Sequence, residues 1–97
     1  MITFIARMTV RRENAAAYEA LVTKVRDLTR ANEPGVAYYD FARSADDPES
    51  YVVIEVYRDA EAHALHMAQP WLAETTPKVA ALIEGRFDIT RWVSADS

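Results

Sequence analysis

Both histidines of the chain lie in one short segment that follows its most apolar strand. Asp59 is a good helix N-cap, and Ala62, Leu65 and His66 then share one face at the i, i+3, i+4 spacing of a helix. His66 is therefore expected beside the apolar residues that pack on the sheet, with His63 at the border of that face. Such an imidazole can take the proton of a phenol, quinol or enol. A histidine held by a hydrogen bond in the core fits the pattern equally well.

Glu55 is the second candidate for chemistry. It interrupts Tyr51–Tyr57, a segment otherwise made of β-branched, aromatic and other apolar residues, which is typical of a central strand covered on both faces. A carboxylate inside such a strand must find a partner, carry a raised pKa or face a solvated cavity. The sequence leaves open whether Glu55 anchors the structure or serves as a base.

Aromatic side chains are frequent near these residues and suit either a flat ligand or plain core packing. They are Tyr38, Tyr39, Tyr57, Trp71 and Trp92. Arg91 shares a predicted strand face with Phe87 and Ile89, where it is a candidate to pair with Glu55 or to hold an oxyanion.

The ligand types available argue against a metal or a bound cofactor. The two histidines at i, i+3 lack a third ligand at a recognisable spacing, and the chain contains no cysteine. No phosphate-binding glycine-rich loop and no flavin or nicotinamide fingerprint is present. We therefore expect neither a metal site nor a cofactor.

Size and charge narrow the class of protein. The 97 residues predict a single domain over 1–97, and a net charge of -4 with 11 scattered basic residues gives no stripe for nucleic acid. No apolar stretch reaches the length of a membrane span, and the first residues lack the features of a signal peptide. We expect a cytoplasmic protein that binds neither membranes nor nucleic acid.

The first half of the chain predicts a strand, a helix and a hairpin. Apolar residues alternate over Ile2–Val10, and a helical stripe follows from an N-cap at Asn14 to about Ala31. The segment 33–35, Glu-Pro-Gly, ends this helix because proline cannot continue it and glycine supplies an unusual backbone angle. Strands over 36–42 and 51–57 then form an antiparallel hairpin around a turn-rich segment.

The second half predicts a short helix, a further helix and a last strand. The short helix runs from Asp59 to about Pro70, and a kink or a restart is expected at Thr76 because Pro77 fits the first position of a helix. Gly85 is expected to stop the further helix before a strand over 86–93. Five residues should lie on one side of this further helix: Leu72, Thr75, Val79, Leu82 and Ile83.

The order β-α-β-β-α-β predicts an α+β ferredoxin-like sandwich, in which one antiparallel sheet carries its helices on a single face. Several strands have apolar side chains on both faces, so the helix-free face needs cover of its own. We expect a symmetric homodimer that buries this face against a second copy.

Specific motifs resemble the antibiotic biosynthesis monooxygenase (ABM) family of dimeric α+β barrel proteins. These motifs are the element order, the Glu-Pro-Gly before strand two, and Glu-Val-Tyr-Arg-Asp at 55–59 followed by His66 and Pro70. The resemblance covers nearly the whole chain. It is strongest to the branch that holds small quinol monooxygenases and a phospho-autoinducer isomerase.

The resemblance implies a cofactor-independent monooxygenase that oxidises a phenolic, quinol or anthrone-type aromatic molecule with dioxygen, as in antibiotic biosynthesis. His66, Tyr57 and Glu55 would be its catalytic residues. Trp71, Tyr39, His63 and Arg91 would bind the substrate. The branch has a second histidine where this chain has Trp71.

Two other functions fit the same residues. One is an isomerase or cyclase that uses the proton-transfer groups on an enolisable carbonyl compound without consuming oxygen. The other is a non-catalytic dimer that binds a small aromatic metabolite, with Trp71 in place of a lost catalytic histidine.

Overall fold

The fold is a four-stranded antiparallel sheet that packs against helices, described for residues 1–96 by a computed structural model. Its elements are β1 (Ile2–Val10), a 3₁₀ turn (Arg12–Asn14), α1 (Ala15–Asn32), β2 (Val36–Arg43), β3 (Ser50–Tyr57), α2 (Ala60–Met67), α3 (Pro70–Ala80) and β4 (Ile83–Val93). The domain predicted over 1–97 also includes Ser97, which lies outside the described residues. No helix within residues 1–96 has both the length and the apolar character needed to cross a membrane.

The strand order β2-β3-β1-β4 confirms the ferredoxin-like α+β prediction, including the antiparallel hairpin of β2 and β3. The pairing register of the sheet places one residue from each of the four strands side by side, in a row that runs across the sheet. Tyr39 pairs with Glu55, Glu55 with Phe4, and Phe4 with Arg91. Because opposed residues share a face of the sheet, this row points toward the helices.

The core lies between the sheet and α1 with α3. Position 18 of α1 is followed at spacings of four and three by buried positions 22 and 25, which is the stripe that the sequence predicts. The buried apolar side chains are Ala6, Met8, Val10, Tyr18, Val22, Val25, Tyr39, Tyr51, Val53, Tyr57 and Val79. Tyr18 donates its hydroxyl hydrogen to the Met8 sulfur at 3.1 Å and is fully buried.

The course of α3 contradicts two expectations from the sequence, a restart at Thr76 and a stop at Gly85. No restart occurs at Thr76, because the helix continues through Pro77 and the Thr76 hydroxyl donates to the Leu72 carbonyl at 2.8 Å. The helix also ends at Ala80, before the expected stop at Gly85, and Ile83 already pairs with β1. Gly85 instead lies inside β4 with a φ of 65°, near a register shift in the β1–β4 pairing.

Both predicted N-cap residues occupy the N-cap position of their helix, and one of them makes a capping hydrogen bond. The Asp59 carboxylate accepts the Ala62 N–H at 2.8 Å, which confirms the predicted N-cap of α2. The side chain of Asn14 makes no capping bond at the start of α1, and its amide nitrogen donates to the Leu82 carbonyl at 3.3 Å. This bond connects the start of α1 to the start of β4.

Gly35 is required by close packing rather than by an unusual backbone angle, because its φ is not positive. A Cβ at this position would lie 2.7 Å from the Cβ of Ala62 on α2. The predicted apolar face of α2 is also incorrect at Leu65, which is exposed, whereas His66 is buried. The close approach of Gly35 to Ala62 therefore sets α2 against the turn that follows α1, and His66 faces inward.

The helix-free face of the sheet is apolar in its two central strands, where Ile5 of β1 pairs with Ile54 of β3. Tyr38 and Trp92 add large exposed side chains on the outer strands of this face. Apolar side chains grouped on one open face of a sheet are typical of an interaction surface. We propose that a second copy of the chain covers it.

Replacing Ile54 with Lys should weaken this dimer by at least about tenfold in its dissociation constant, because a charge would be buried in the interface. Light scattering across a micromolar dilution series measures the effect. Leu65→Lys, which adds the same charge to an exposed position on α2, should leave the association unchanged. A wild-type protein that is monomeric at micromolar concentration would contradict the proposal.

Candidate active site

A cavity of about 200 Å³ lies between the sheet and the helices. At about 30 Å³ for each water molecule, this volume corresponds to six or seven waters. The cavity wall is mostly apolar, and its residues with polar side-chain atoms are Tyr18, Tyr39, Glu55, His66 and residues 75 and 76 of α3. Met67 and Ile89 also line it and are 59% and 58% exposed, so they mark its opening to solvent.

His66 lines this cavity and is bound on its other side by Glu33. The His66 Nδ1 lies 3.1 and 3.0 Å from the two carboxylate oxygens of Glu33, and the two side chains are 1% and 2% exposed. A carboxylate only accepts hydrogen bonds, so Nδ1 carries the hydrogen. When the ring is neutral, Nε2 is therefore an unprotonated acceptor, and it is the ring nitrogen left for a ligand.

Sequence reasoning missed Glu33, which it treated only as part of a helix stop. The residue directly follows α1, where its N–H donates to the Thr29 carbonyl at 3.0 Å and its carbonyl accepts the Val36 N–H at 3.1 Å. An acidic side chain at the C-terminal end of a helix opposes the helix dipole. That unfavourable position was the available signal that Glu33 has a specific partner.

Glu55 lines the cavity and accepts a hydrogen bond from the Tyr57 hydroxyl. Burial raises the pKa of Glu55 and the nearby Glu33 charge acts in the same direction, whereas the Tyr57 bond and His66 act against them. Burial, followed by the charge of Glu55, raises the pKa of Tyr57 far above its ordinary value, so its phenol keeps its proton at neutral pH. Tyr57 thus serves Glu55 as a donor, and it is not part of the cavity wall among the described residues.

Of the four residues predicted to bind the substrate, Tyr39 is the one that lines the cavity within the described residues. Its ring centroid lies 5.3 Å from that of His66, and the residue is buried in the cavity wall. Burial, and then the charge of Glu55, raises its pKa, so the hydroxyl remains a donor. Within residues 1–96 this hydroxyl makes no hydrogen bond, which leaves it for a ligand.

The structure does not bring His63, Trp71 or Arg91 into the cavity wall formed by the described residues. His63 stacks on Phe4 with ring centroids 4.2 Å apart, and burial, with the positive charges of His66 and Arg91, lowers its pKa. Trp71 packs against the core with its indole nitrogen buried and unbonded within residues 1–96. Arg91 shares the row of Glu55, but Phe4 stands between them and no ion pair joins the two in this part of the chain.

Residues 1–75 match the family model described as antibiotic biosynthesis monooxygenase. No curated protein matches the sequence. The chain is similar to the solved structure of Rv0793 from Mycobacterium tuberculosis, with 28% identity, 99% and 96% of the two chains covered and a TM-score of 0.89. A mutant of SnoaB, described as a cofactor-independent oxygenase from Streptomyces nogalater, has 25% identity, coverage of 99% and 94%, and a TM-score of 0.83.

A third solved structure, described as an antibiotic biosynthesis monooxygenase, has 23% identity and a TM-score of 0.88, with 98% and 99% of the two chains covered. At this identity the likeness establishes the fold alone. All three neighbours extend over nearly the full length of this chain.

Neutral His66 should carry its hydrogen on Nδ1, which ¹⁵N NMR of the imidazole nitrogens can identify. Replacing Glu33 with Leu should lower the free energy of unfolding by about 3–5 kcal/mol, because the buried imidazole loses its partner. Glu61→Leu, at an exposed position of α2, should cost no more than about 1 kcal/mol. A hydrogen on Nε2, or equal costs for the two variants, would contradict the assigned role of Glu33.

Glu55→Gln should become more stable relative to wild type as the pH rises. The raised pKa means that the unfolded chain ionises first, so the contribution of Glu55 is full below the ordinary value of 4.5 and is lost as the pH approaches the raised value. Glutamine can still accept the Tyr57 hydroxyl but does not titrate. Urea denaturation from about pH 4 to about pH 8 should show a relative gain of up to about 1.4 kcal/mol per pH unit.

The control for Glu55→Gln is Glu13→Gln, which removes a carboxyl group from an exposed position. It should not reproduce the pH-dependent gain. A difference between wild type and Glu55→Gln that stays constant over the whole pH range would show that folding does not shift the pKa of Glu55.

Proposed function

Because the chain belongs to the antibiotic biosynthesis monooxygenase family, we propose that it is a cofactor-independent monooxygenase acting on a small aromatic of the hydroquinone or anthrone type. The observation that carries the proposal is a cavity-lining imidazole whose Nδ1 is fixed by a buried carboxylate, in a cavity with a mostly apolar wall. The likeness to SnoaB, described as a cofactor-independent oxygenase, supports the same reaction class.

Electron balance selects these substrates within the phenolic class. Inserting one oxygen atom of dioxygen and releasing the other as water takes four electrons. A hydroquinone supplies two on becoming a quinone and two more when a ring C–H becomes C–OH. An anthrone supplies all four when its CH₂ becomes a carbonyl. A simple phenol that is only hydroxylated supplies two, so it would need an external reductant.

In the proposed reaction, His66 Nε2 takes the proton of the substrate hydroxyl, or of the enol tautomer of an anthrone. Glu33 stabilises the imidazolium that results, because its carboxylate already accepts the Nδ1 hydrogen. The electron-rich anion reduces dioxygen, and a new C–O bond forms. Cleavage of the O–O bond and loss of one oxygen as water then give the quinone product.

Two further groups assist this reaction in the proposal. The Tyr39 hydroxyl donates a hydrogen bond to the substrate oxygen and so stabilises its negative charge. Glu55, when protonated, donates to the oxygen that departs as water. The apolar wall excludes bulk water and holds the ring in place, which makes both bonds stronger than they would be in solution.

A second candidate is an isomerase or cyclase, which the pairing of Glu55 with His66 favours. Both line one cavity, and the pKa of Glu55 is raised while the imidazole has an acceptor nitrogen. One group that takes a proton and another that returns it are the requirements for moving a hydrogen along an enolisable carbonyl compound. This reaction consumes no oxygen.

Dissolved-oxygen uptake with a panel of hydroquinones and anthrones tests the proposed function. His66→Asn is the sharpest variant, because its amide nitrogen can replace Nδ1 as the donor to Glu33 while Nε2 is removed. Its turnover should fall by about 10²–10⁴-fold with little change in melting temperature. His63→Asn, which changes an imidazole outside the cavity wall, should retain wild-type turnover.

Each other outcome assigns a different function. Uptake that His66→Asn leaves unchanged would remove His66 from the mechanism. Absence of uptake, together with protein-dependent deuterium incorporation into an enolisable ketone, would favour the isomerase. Ligand binding with neither reaction would favour the non-catalytic metabolite-binding dimer.

A further inference from the structure

Two buried threonines have side-chain hydroxyl groups that make no hydrogen bond within residues 1–96. Thr29 on α1 is 0% exposed and Thr75 on α3 is 3% exposed. The Thr29 hydroxyl is fully buried, whereas that of Thr75 is not among the fully buried unbonded atoms of the described residues. The two differ in position, because Thr75 lines the cavity and Thr29 does not.

The free hydroxyl of Thr75 is not a general property of its helix. A threonine inside a helix commonly donates to the carbonyl four residues earlier, and the adjacent Thr76 does so to Leu72 at 2.8 Å. Thr75 makes no such bond to Trp71 in the described chain. Its hydroxyl therefore remains available inside the cavity as both a donor and an acceptor.

We propose that Thr75 is a specificity-determining residue whose hydroxyl binds a second oxygen substituent of the ligand, distinct from the oxygen that faces His66. The inference rests on the proposed function in one respect, namely that the cavity is the substrate site. Its ligand class is an aromatic molecule with two oxygen substituents, each bound by a different helix.

The side chains of the cavity wall favour recognition of an oxygen substituent at one position of the ligand ring. Leu72 and Val79 of α3 also line the cavity and offer no hydrogen-bonding side chain, and Thr76 already uses its hydroxyl within the helix. His66 comes from α2, whereas Glu55 and Tyr39 come from the sheet. An oxygen that meets Thr75 thus gains a bond, while the same oxygen placed against its apolar neighbours loses its hydration without compensation.

Binding of naphthols under nitrogen tests the proposal, because exclusion of oxygen prevents turnover. The probes are 1-naphthol, which has a single oxygen, and a set of dihydroxynaphthalene isomers, all titrated by calorimetry. The best isomer should bind wild-type protein about 3- to 10-fold more tightly than 1-naphthol, the increment expected of one neutral hydrogen bond. Thr75→Val, which keeps the shape of the side chain, should reduce this ratio to about one without weakening 1-naphthol.

Two variants control for the change of side chain. Thr75→Ser keeps the hydroxyl and should keep the preference for the dihydroxy ligand. Thr29→Val removes a fully buried, unbonded hydroxyl outside the cavity wall and should leave all affinities unchanged. Thr75→Ala gives the same expected ratio as Thr75→Val and serves if the valine variant does not fold.

The results separate this inference from the function on which it rests. If 1-naphthol binds and no isomer binds more tightly, or if the preference survives in Thr75→Val and Thr75→Ala, the role of Thr75 is wrong and the proposed function stands. If the His66→Asn variant and wild type bind none of the naphthols, the cavity is not an aromatic site and both proposals fail.

Discussion

The buried contact between Glu33 and His66 is the interaction on which the rest of the site depends. Removing a carboxylate and an imidazole from water is costly, and the cost is offset only when each finds the other in good geometry. Here the carboxylate comes from the end of α1 and the ring from α2, so the pair joins two elements that are far apart in sequence. The close approach of Gly35 to Ala62 permits that contact, since any larger side chain at 35 would push α2 away.

The sheet supplies the second half of the site through its register. Tyr39, Glu55 and Phe4 occupy successive positions of one row, so a phenol, a carboxyl group and an aromatic ring face the helices side by side. Only the first two reach the cavity, because Phe4 is stacked against His63. Because His63 stacks on Phe4, it does not line the cavity, and His66 is the imidazole in the cavity wall of the described residues. A single imidazole suits reactions in which the protein moves one proton and the substrate supplies the electrons.

Much of this arrangement could be predicted from local pattern. The helical stripe of α1, the apolar run of β3 and the N-cap at Asp59 each report an element and one buried face, and together they place His66 inside. The role of Glu33 could not be predicted because its partner is 33 residues away in sequence, and a contact across that distance produces no periodic sequence pattern. The end of α3 was misjudged because Leu82 and Ile83 continue a helical spacing, yet pairing of Ile83 with Val10 is the stronger constraint. Thr75 carries a signal only once the cavity is known.

The attachment of Glu33 to the last turn of α1 has a consequence for how the protein responds to heat. Its N–H belongs to the final hydrogen bond of that helix, and helix ends open locally at a lower free energy than the whole fold. Fraying of that turn would also have to break the buried contact with His66, so the pair stabilises the helix end as well as the ring. The orientation of the imidazole is therefore thermodynamically coupled to the last turn of α1, and the two should lose their order together on heating.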